Sequence, residues 1–216
     1  MSEAAATAAT TAAVPVQQPF THLFVLDFEA QCLGDGLAPP VPQEIIELPI
    51  VVIDVQTRTI VDEFHTFVKP TVHPELFPFC KQLTHITQEQ VDGGIELDEA
   101  LANANEFLAR FCDDAAGTSG LVVTCGHWDL RSCLPRECRY KGFRVPKVFK
   151  RWCNVKLLFQ SHFRFHKQVD MLGMLQQLDI PLVGHHHSGI DDARNIAKIV
   201  VRLLEAGVVI DVNGRE

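Results

Sequence analysis

At 216 residues the chain is long enough to bury one ordinary core, and a single compact domain is the default reading. Its 47% hydrophobic and 21% charged residues exclude a low-complexity or fibrous chain. No apolar run nears the roughly 18–20 residues that cross a bilayer, so a membrane role is not expected. The net charge of −8 argues against a uniformly basic nucleic-acid binder, yet it is unevenly spread. Residues 131–167 hold eleven Lys/Arg and one acid, Glu137, a balance of +10, so the remainder carries −18 (−8 minus +10). That separation fits a basic face for a polyanion beside an acidic centre, and equally a solvated basic surface.

Residues 1–19 are rich in Ala and Thr, with one acid (Glu3) and no base, and read as a disordered tail ahead of a domain spanning 20–216. They lack the pattern of a secretory signal. The seven cysteines are an odd number without a C-x-x-C pair, so they read as reduced thiols in a cytoplasmic and/or nuclear protein. Residues 21–29 (THLFVLDFE) read as a strand, followed by a loop marked by Gly34, Gly36, Pro39, Pro40 and Pro42. Strands at about 45–55 and 59–68, joined by a polar turn at 56–58, complete a three-strand meander. A long connection, 70–92, carries short helical turns. Residues 98–112 place apolar side chains at 101, 104, 107, 108 and 111, the spacing of an amphipathic helix. A strand at 121–126, a helix from about Asp129, a last strand at about 153–159 and helices near 168–178 and 190–205 follow. This order predicts an α/β fold: a mixed five-stranded sheet, antiparallel meander plus parallel strands, flanked by helices.

Three elements of this chain carry candidate chemistry. Asp27 and Glu29 stand two apart at the end of the first strand, so they project from one face, opposite Phe24, Leu26 and Phe28. Two like charges beside a core are costly without a neutralising cation, although a strand end in solvent would carry them harmlessly. Asp129 follows the strand 121–126; it could cap the next helix or present a ligand group at a strand end. Trp128 beside it could be a core aromatic or stack on a base. In the last helix, apolar positions 190, 193, 196, 197, 200, 203 and 204 put Asp192 at the edge of the buried face and Asp191 nearly opposite it, as a solvated acid. Of the three histidines before it, His185 and His186 read as solvent-exposed. Four carboxylates and one histidine suit Mg²⁺ or Mn²⁺, two ions per site, and phosphodiester hydrolysis.

In order along the chain, D-F-E, W-D and H-x-G-x-D-D-A-x-N-I-A resemble the DEDDh 3′→5′ exonucleases of the RNase H-like superfamily. The segments FCKQLTHITQEQVD (79–92), RWCNVKLLF (151–159) and GIDDARNIAKIVVRLLEAG (189–207) are similar to its subgroup of histone-mRNA and RNA-interference-linked exoribonucleases. The resemblance covers about residues 20–212. It implies Asp27, Glu29 and Asp192 as ligands of one metal, with Asp129 and Asp27 holding a second. It further implies Glu29 and His187 as catalytic groups, His187 being the general base. Ala30, Leu130, Trp128, Phe79 and His187 are the implied contacts to the 3′-terminal nucleotide. The implied partner is RNA at its 3′ end, structured or double-stranded with a short overhang, and the product is nucleoside 5′-monophosphates. DNA is the alternative polymer, and a catalytically silent binding module the alternative class. One departure stands out: His85 occupies the position of a family glycine.

Overall fold

The computed structural model describes residues 16–112 and 119–216. Its centre is a mixed sheet of five strands of four residues or more: β1 (His22–Leu26), β3 (Ile45–Asp54), β4 (Thr59–Phe67), β5 (Gly120–Thr124) and β6 (Arg151–Asn154). Two-residue strands β2 (Glu29–Ala30) and β7 (Gly214–Arg215) extend it to seven. β3 pairs antiparallel with β1, β2 and β4; β1–β5 and β5–β6 are parallel. The mixed sheet and its meander are those expected from the sequence.

Strand alternation sends the two faces of β1 into different cores. Phe24, Leu26 and Phe28 join one cluster with Leu97, Leu101 and Leu108 of α3 (Leu97–Ala109) and Leu134 and Cys138 of α4 (Leu134–Lys141). Leu23 and Val25 join the other, with Phe159 of α5 (Val155–Phe163), Met174 of α6 (Met171–Gln177), and Ala193, Ile196 and Val200 of α7 (Gly189–Glu205). The sheet is therefore covered on both faces, and the odd-numbered face of β1 looks toward α7. The connection 70–92 does carry short helices, α1 (Pro78–Thr84) and α2 (Gln88–Asp92); Thr87 and Gln90 form a reciprocal capping box at the start of α2.

Two expectations are corrected. The strand expected at 153–159 ends at Asn154, and α5 begins at once. Asn154 is the reason: its side chain accepts the Lys156 N–H at 3.0 Å and caps the helix, while Val155 and Phe159, one turn apart, are buried. The helix expected from Asp129 opens with a π-helical turn, Asp129–Cys133, before α4. Residues 1–15 of the expected tail lie outside the described residues; within the rest of it, Gln18 donates to the Val208 carbonyl and accepts from Ile210 N–H. Among the described residues no helix is long and apolar enough to cross a membrane, and the seven cysteines are free thiols.

Candidate active site

The carboxyl ends of β1 and β5 meet the start of α7, and the acids gather there. One carboxylate oxygen each from Asp27, Glu29 and Asp192 lies within 4.8 Å of the others. β1 stops at Leu26, so Asp27 and Glu29 do not share one continuous strand. Phe28 N–H, freed from the sheet, donates to Asp129 Oδ1 at 3.0 Å and ties the fourth acid to the same corner. Asp129 is therefore more than a helix-start acid; it is buried and faces the β1 end. As helical phase expects, Asp192 is the buried acid at the start of α7, 3% exposed. Asp191 is not idle, since it accepts from His185 N–H and pairs with Arg194.

Burial raises the pKa of all four acids, and for Asp27 and Glu29 the neighbouring carboxylates add to it. Burial pushes Asp27 well above the usual range, with the charges of Asp129 and Asp192 adding to it and Lys156 opposing. Burial and then Asp27 do the same to Glu29. Asp129 is pushed up to about 6 by burial, against the Phe28 N–H that favours its charged form. Asp192 is raised by burial against donors from His187 and His186. Cross-acting carboxylates in a dry corner are the electrostatic state that a cation relieves.

Donor chemistry agrees. Asp192 Oδ2 accepts the His187 N–H at 2.8 Å and lies 2.9 Å from His186 Nδ1. Its Oδ1 is buried and, among the described residues, has no hydrogen-bond partner. An orphaned buried carboxylate oxygen beside two further carboxylates fits a hard divalent cation better than it fits any protein group here.

The histidine loop is only partly as expected. His185 is exposed, but His186 is half-buried against Asp192, contrary to its reading as a solvated residue. The cause is a left-handed turn at His187 (φ 71°), which directs its N–H to Asp192 and stacks its ring on His186, centroids 3.9 Å apart. Burial and then His186 lower the His187 pKa, so its ring is neutral near pH 7. His85 explains the family glycine: it caps the C-terminus of α1 in the left-handed region (φ 60°), which favours glycine, and its ring lies tilted against His185, centroids 3.7 Å apart.

Of the substrate contacts the resemblance implies, Trp128 is 41% exposed beside Asp129 and Phe79 is half-buried in the first turn of α1. Ala30 and Leu130 are packed in the first core cluster, so their side chains serve the core before any ligand. The basic stretch is partly spent internally: Lys141 pairs with buried Glu44 and Glu137, and Lys150 with Glu216. Arg131, Arg136, Arg139, Arg144 and Lys147 are exposed.

Sequence reasoning missed two residues. Glu47 in β3 is buried and accepts the N–H groups of Gly189 and Ile190 while contacting His65 at 2.8 Å. It fixes the start of α7, and thereby Asp192, three residues on. No local signal marks it, because its partners lie 142 residues away. Lys156 is the cation that acts on Asp27 and Asp129; in the sequence it was one base among eleven.

A sheet whose strand ends collect buried acids against a helix start defines a nuclease-type centre, and residues 24–200 match the RNase_T family of exonucleases. The chain belongs to that family, and within it to the DEDDh group of the ERI1 and 3′hExo type. It is 39% identical over 203 residues to ERI1 exoribonuclease 3 of Mus musculus, covering 94% of this chain and 59% of that protein's length. The nuclease domain of 3′hExo, a DEDDh family member, solved bound to rAMP, superposes with a TM-score of 0.85 at 30% identity, covering 91% of this chain and 98% of that one. A 3′-exonuclease solved for 3′-end-specific recognition of a histone mRNA stem-loop gives a TM-score of 0.86 at 29% identity, covering 92% and 88%.

Proposed function

We propose that this chain is a 3′→5′ exoribonuclease that hydrolyses phosphodiesters at RNA 3′ ends and releases nucleoside 5′-monophosphates. The observation that carries the reading is the convergence of Asp27, Glu29 and Asp192 around a buried, unpartnered Asp192 oxygen. Asp27, Glu29 and Asp192 would hold one divalent cation, and Asp27 with Asp129 a second. Such a pair, Mg²⁺ or Mn²⁺ by the hardness of the oxygen ligands, supplies electrostatic stabilisation to the attacking and leaving oxygens of a phosphoryl displacement.

The chain's own residues do the rest. His187, kept neutral near pH 7 by its lowered pKa, takes the proton of the attacking water. Glu29, in the same acid corner, is the second group that would orient that water. His186 and the His187 N–H hold Asp192 Oδ2, leaving Oδ1 as the oxygen that would bind a cation. Trp128 and Phe79 offer aromatic faces to the terminal base, and the exposed arginines of 131–144 grip the phosphate backbone. The relatives whose names or titles specify RNA support that polymer over DNA.

The test is product and end dependence. Linear RNA with a free 3′ hydroxyl should yield nucleoside 5′-monophosphates with Mg²⁺ or Mn²⁺, stop with EDTA, and be protected by a 3′-terminal block. Robust cleavage of circular RNA would contradict the reading, and a clear preference for the matched DNA would reassign the polymer.

A further inference from the structure

Cys32 and Cys80 meet behind the acid corner, and the chemistry proposed above uses neither. Cys32 follows β2 by two residues, and Cys80 lies in the first turn of α1. Both pack in a small core cluster with Ile46, Leu76, Ile86 and Val91. Cys80 is fully buried, and its Sγ donates to the Ala30 carbonyl at 3.7 Å; Cys32 is half-buried. The two thiols also hydrogen-bond to each other. A single buried cysteine reads as a small apolar filler. A buried thiol set against a more accessible one is the arrangement of a resolving and an attacking sulfur.

The pair is built into the fold. Gln31, between Ala30 and Cys32, is fully buried. Its Nε2 donates to the carbonyls of His73 and Glu75 at 2.8 and 3.2 Å, and its Oε1 accepts the Phe77 N–H at 3.2 Å. Phe77 is the N-cap residue of α1. These bonds tie the chain after β2 to the start of α1 and bring together two sulfurs that are distant in sequence. The direction of the thiol–thiol bond divides their roles. Accepting from Cys80 holds the Cys32 thiol below its ordinary range, while donating to Cys32, and then burial, push Cys80 up. Cys32 is both the better thiolate and the more accessible sulfur, so it reacts first.

We propose that Cys32 and Cys80 form a dithiol modification site for peroxides, closing to a disulfide that slows the exonuclease. The Cys32 thiolate attacks one peroxide oxygen and the O–O bond breaks. Cys32 becomes a sulfenic acid, and the departing oxygen takes a proton and leaves as water or an alcohol. The Cys80 sulfur then attacks the Cys32 sulfur, and hydroxide leaves as water with the Cys80 proton. The two thiols give up two electrons and the peroxide accepts them. A covalent S–S bond is far shorter than a hydrogen-bond contact between sulfurs, so one side must move. Movement of Cys32 draws on β2, which carries Glu29 and meets β3 through two pairings with a register shift between them. Movement of Cys80 draws on α1, which carries Phe79. Either displacement reaches a group of the proposed active centre, where a misplacement of about 1 Å can cost about a hundredfold. Formation of the bond does not depend on the exoribonuclease reading above; the loss of activity rests on it.

The test uses the full chain, reduced and then treated with hydrogen peroxide, which is removed with catalase. Denatured samples are alkylated, their mass is measured, and digestion identifies cross-linked peptides. Wild type should fall from seven alkylatable thiols to five, with one peptide pair joining Cys32 to Cys80, and dithiothreitol should restore all seven. Cys32→Ser and Cys80→Ala should form no such pair. On RNA with saturating Mg²⁺, kcat of the wild type should fall roughly tenfold to a hundredfold on oxidation and return with dithiothreitol. Cys32→Ser should keep its rate through the same treatment. Oxidation of other cysteines while Cys32 and Cys80 stay alkylatable would overturn the site. A Cys32–Cys80 bond with unchanged kcat, or an equal loss in Cys32→Ser, would overturn its control of activity. A reduced chain inactive on RNA defeats the exoribonuclease reading, and the peptide map still decides the disulfide.

Discussion

Two acids of the site are held by groups other than the acids beside them. Phe28 N–H holds Asp129, and the His187 N–H with His186 holds Asp192. Removing a charge that binds a cation should therefore cost activity without unfolding the chain. Asp192→Asn should lower kcat at least about a hundredfold, beyond the 10–100-fold typical of losing a group that merely supports a metal ligand. Circular dichroism should stay that of wild type. His187→Ala should lose roughly 10²–10⁴-fold in kcat, the range for a general base. His186→Ala should lose less and should raise the cation concentration needed for half-maximal rate, because it positions Asp192 and does not take a proton. Equal losses in the two histidine variants would refute that division. The D-x-E spacing after an apolar run and the phase of α7 brought Asp27, Glu29 and Asp192 forward as candidates in the sequence, although β1 ends at Leu26, before both of the first two. His186 was not, because a left-handed turn at His187 decides which ring meets Asp192, and residue spacing carries no record of φ.

The elements depend on contacts that the sequence separates widely. α7 starts where Gly189 passes close to β1; a Cβ there would fall 2.8 Å from the Asp27 carbonyl oxygen and 3.0 Å from Glu47 Oε2. Gly189→Ala should therefore destabilise the fold by about 1–3 kcal/mol through overpacking and reduce activity by displacing Asp27, measured as a lowered denaturation midpoint. Glu47→Ala should cost about 1–3 kcal/mol by leaving one buried and one half-buried N–H group of α7 unpaired. Long periodic elements, β3, β4, α3 and α7, were readable because their apolar spacing is decided locally. The junction at Asn154 was not. VKLLF reads equally as a short apolar strand or a helix turn, and the cap that decides it is a single side-chain hydrogen bond. Glu47 likewise reads as one polar residue in an apolar strand until α7 is folded against it.

Across the whole molecule, charge is divided between an acidic corner and a basic flank, and that division has a pH signature. A carboxyl whose folded pKa exceeds its unfolded value keeps a proton that the unfolded chain has released, so it favours the fold as pH falls. Asp129, at about 6 against an ordinary 3.8, acts between those two values, and Asp27, Glu29 and Asp192 act in the same direction. Glu44 and Asp54 are shifted the opposite way; the stability they give is lost only below the ordinary carboxyl range, outside this window. His127 and His187, held below the ordinary imidazole range, act the other way in this window, but four raised carboxyls outweigh two partly exposed rings, so in EDTA the melting temperature should rise as pH is lowered from 7.5 to 5.5. Saturating Mg²⁺ should raise it more at pH 7.5 than at 5.5, because protons compete for the same oxygens. A cation shift that is absent, or larger at the lower pH, would contradict the site. The net −8 concealed this division, and only the count along 131–167 disclosed it; which of those bases remain at the surface required the structure, since Lys141 is spent on Glu44 and Glu137. The most direct measurement is the degradation of RNA by wild type and Asp192→Asn, in Mg²⁺ and in EDTA, with release of the 3′-terminal nucleotide followed over time. The account predicts stepwise release from the 3′ end by wild type in Mg²⁺ alone. Equal release by Asp192→Asn, or undiminished release in EDTA, would contradict it.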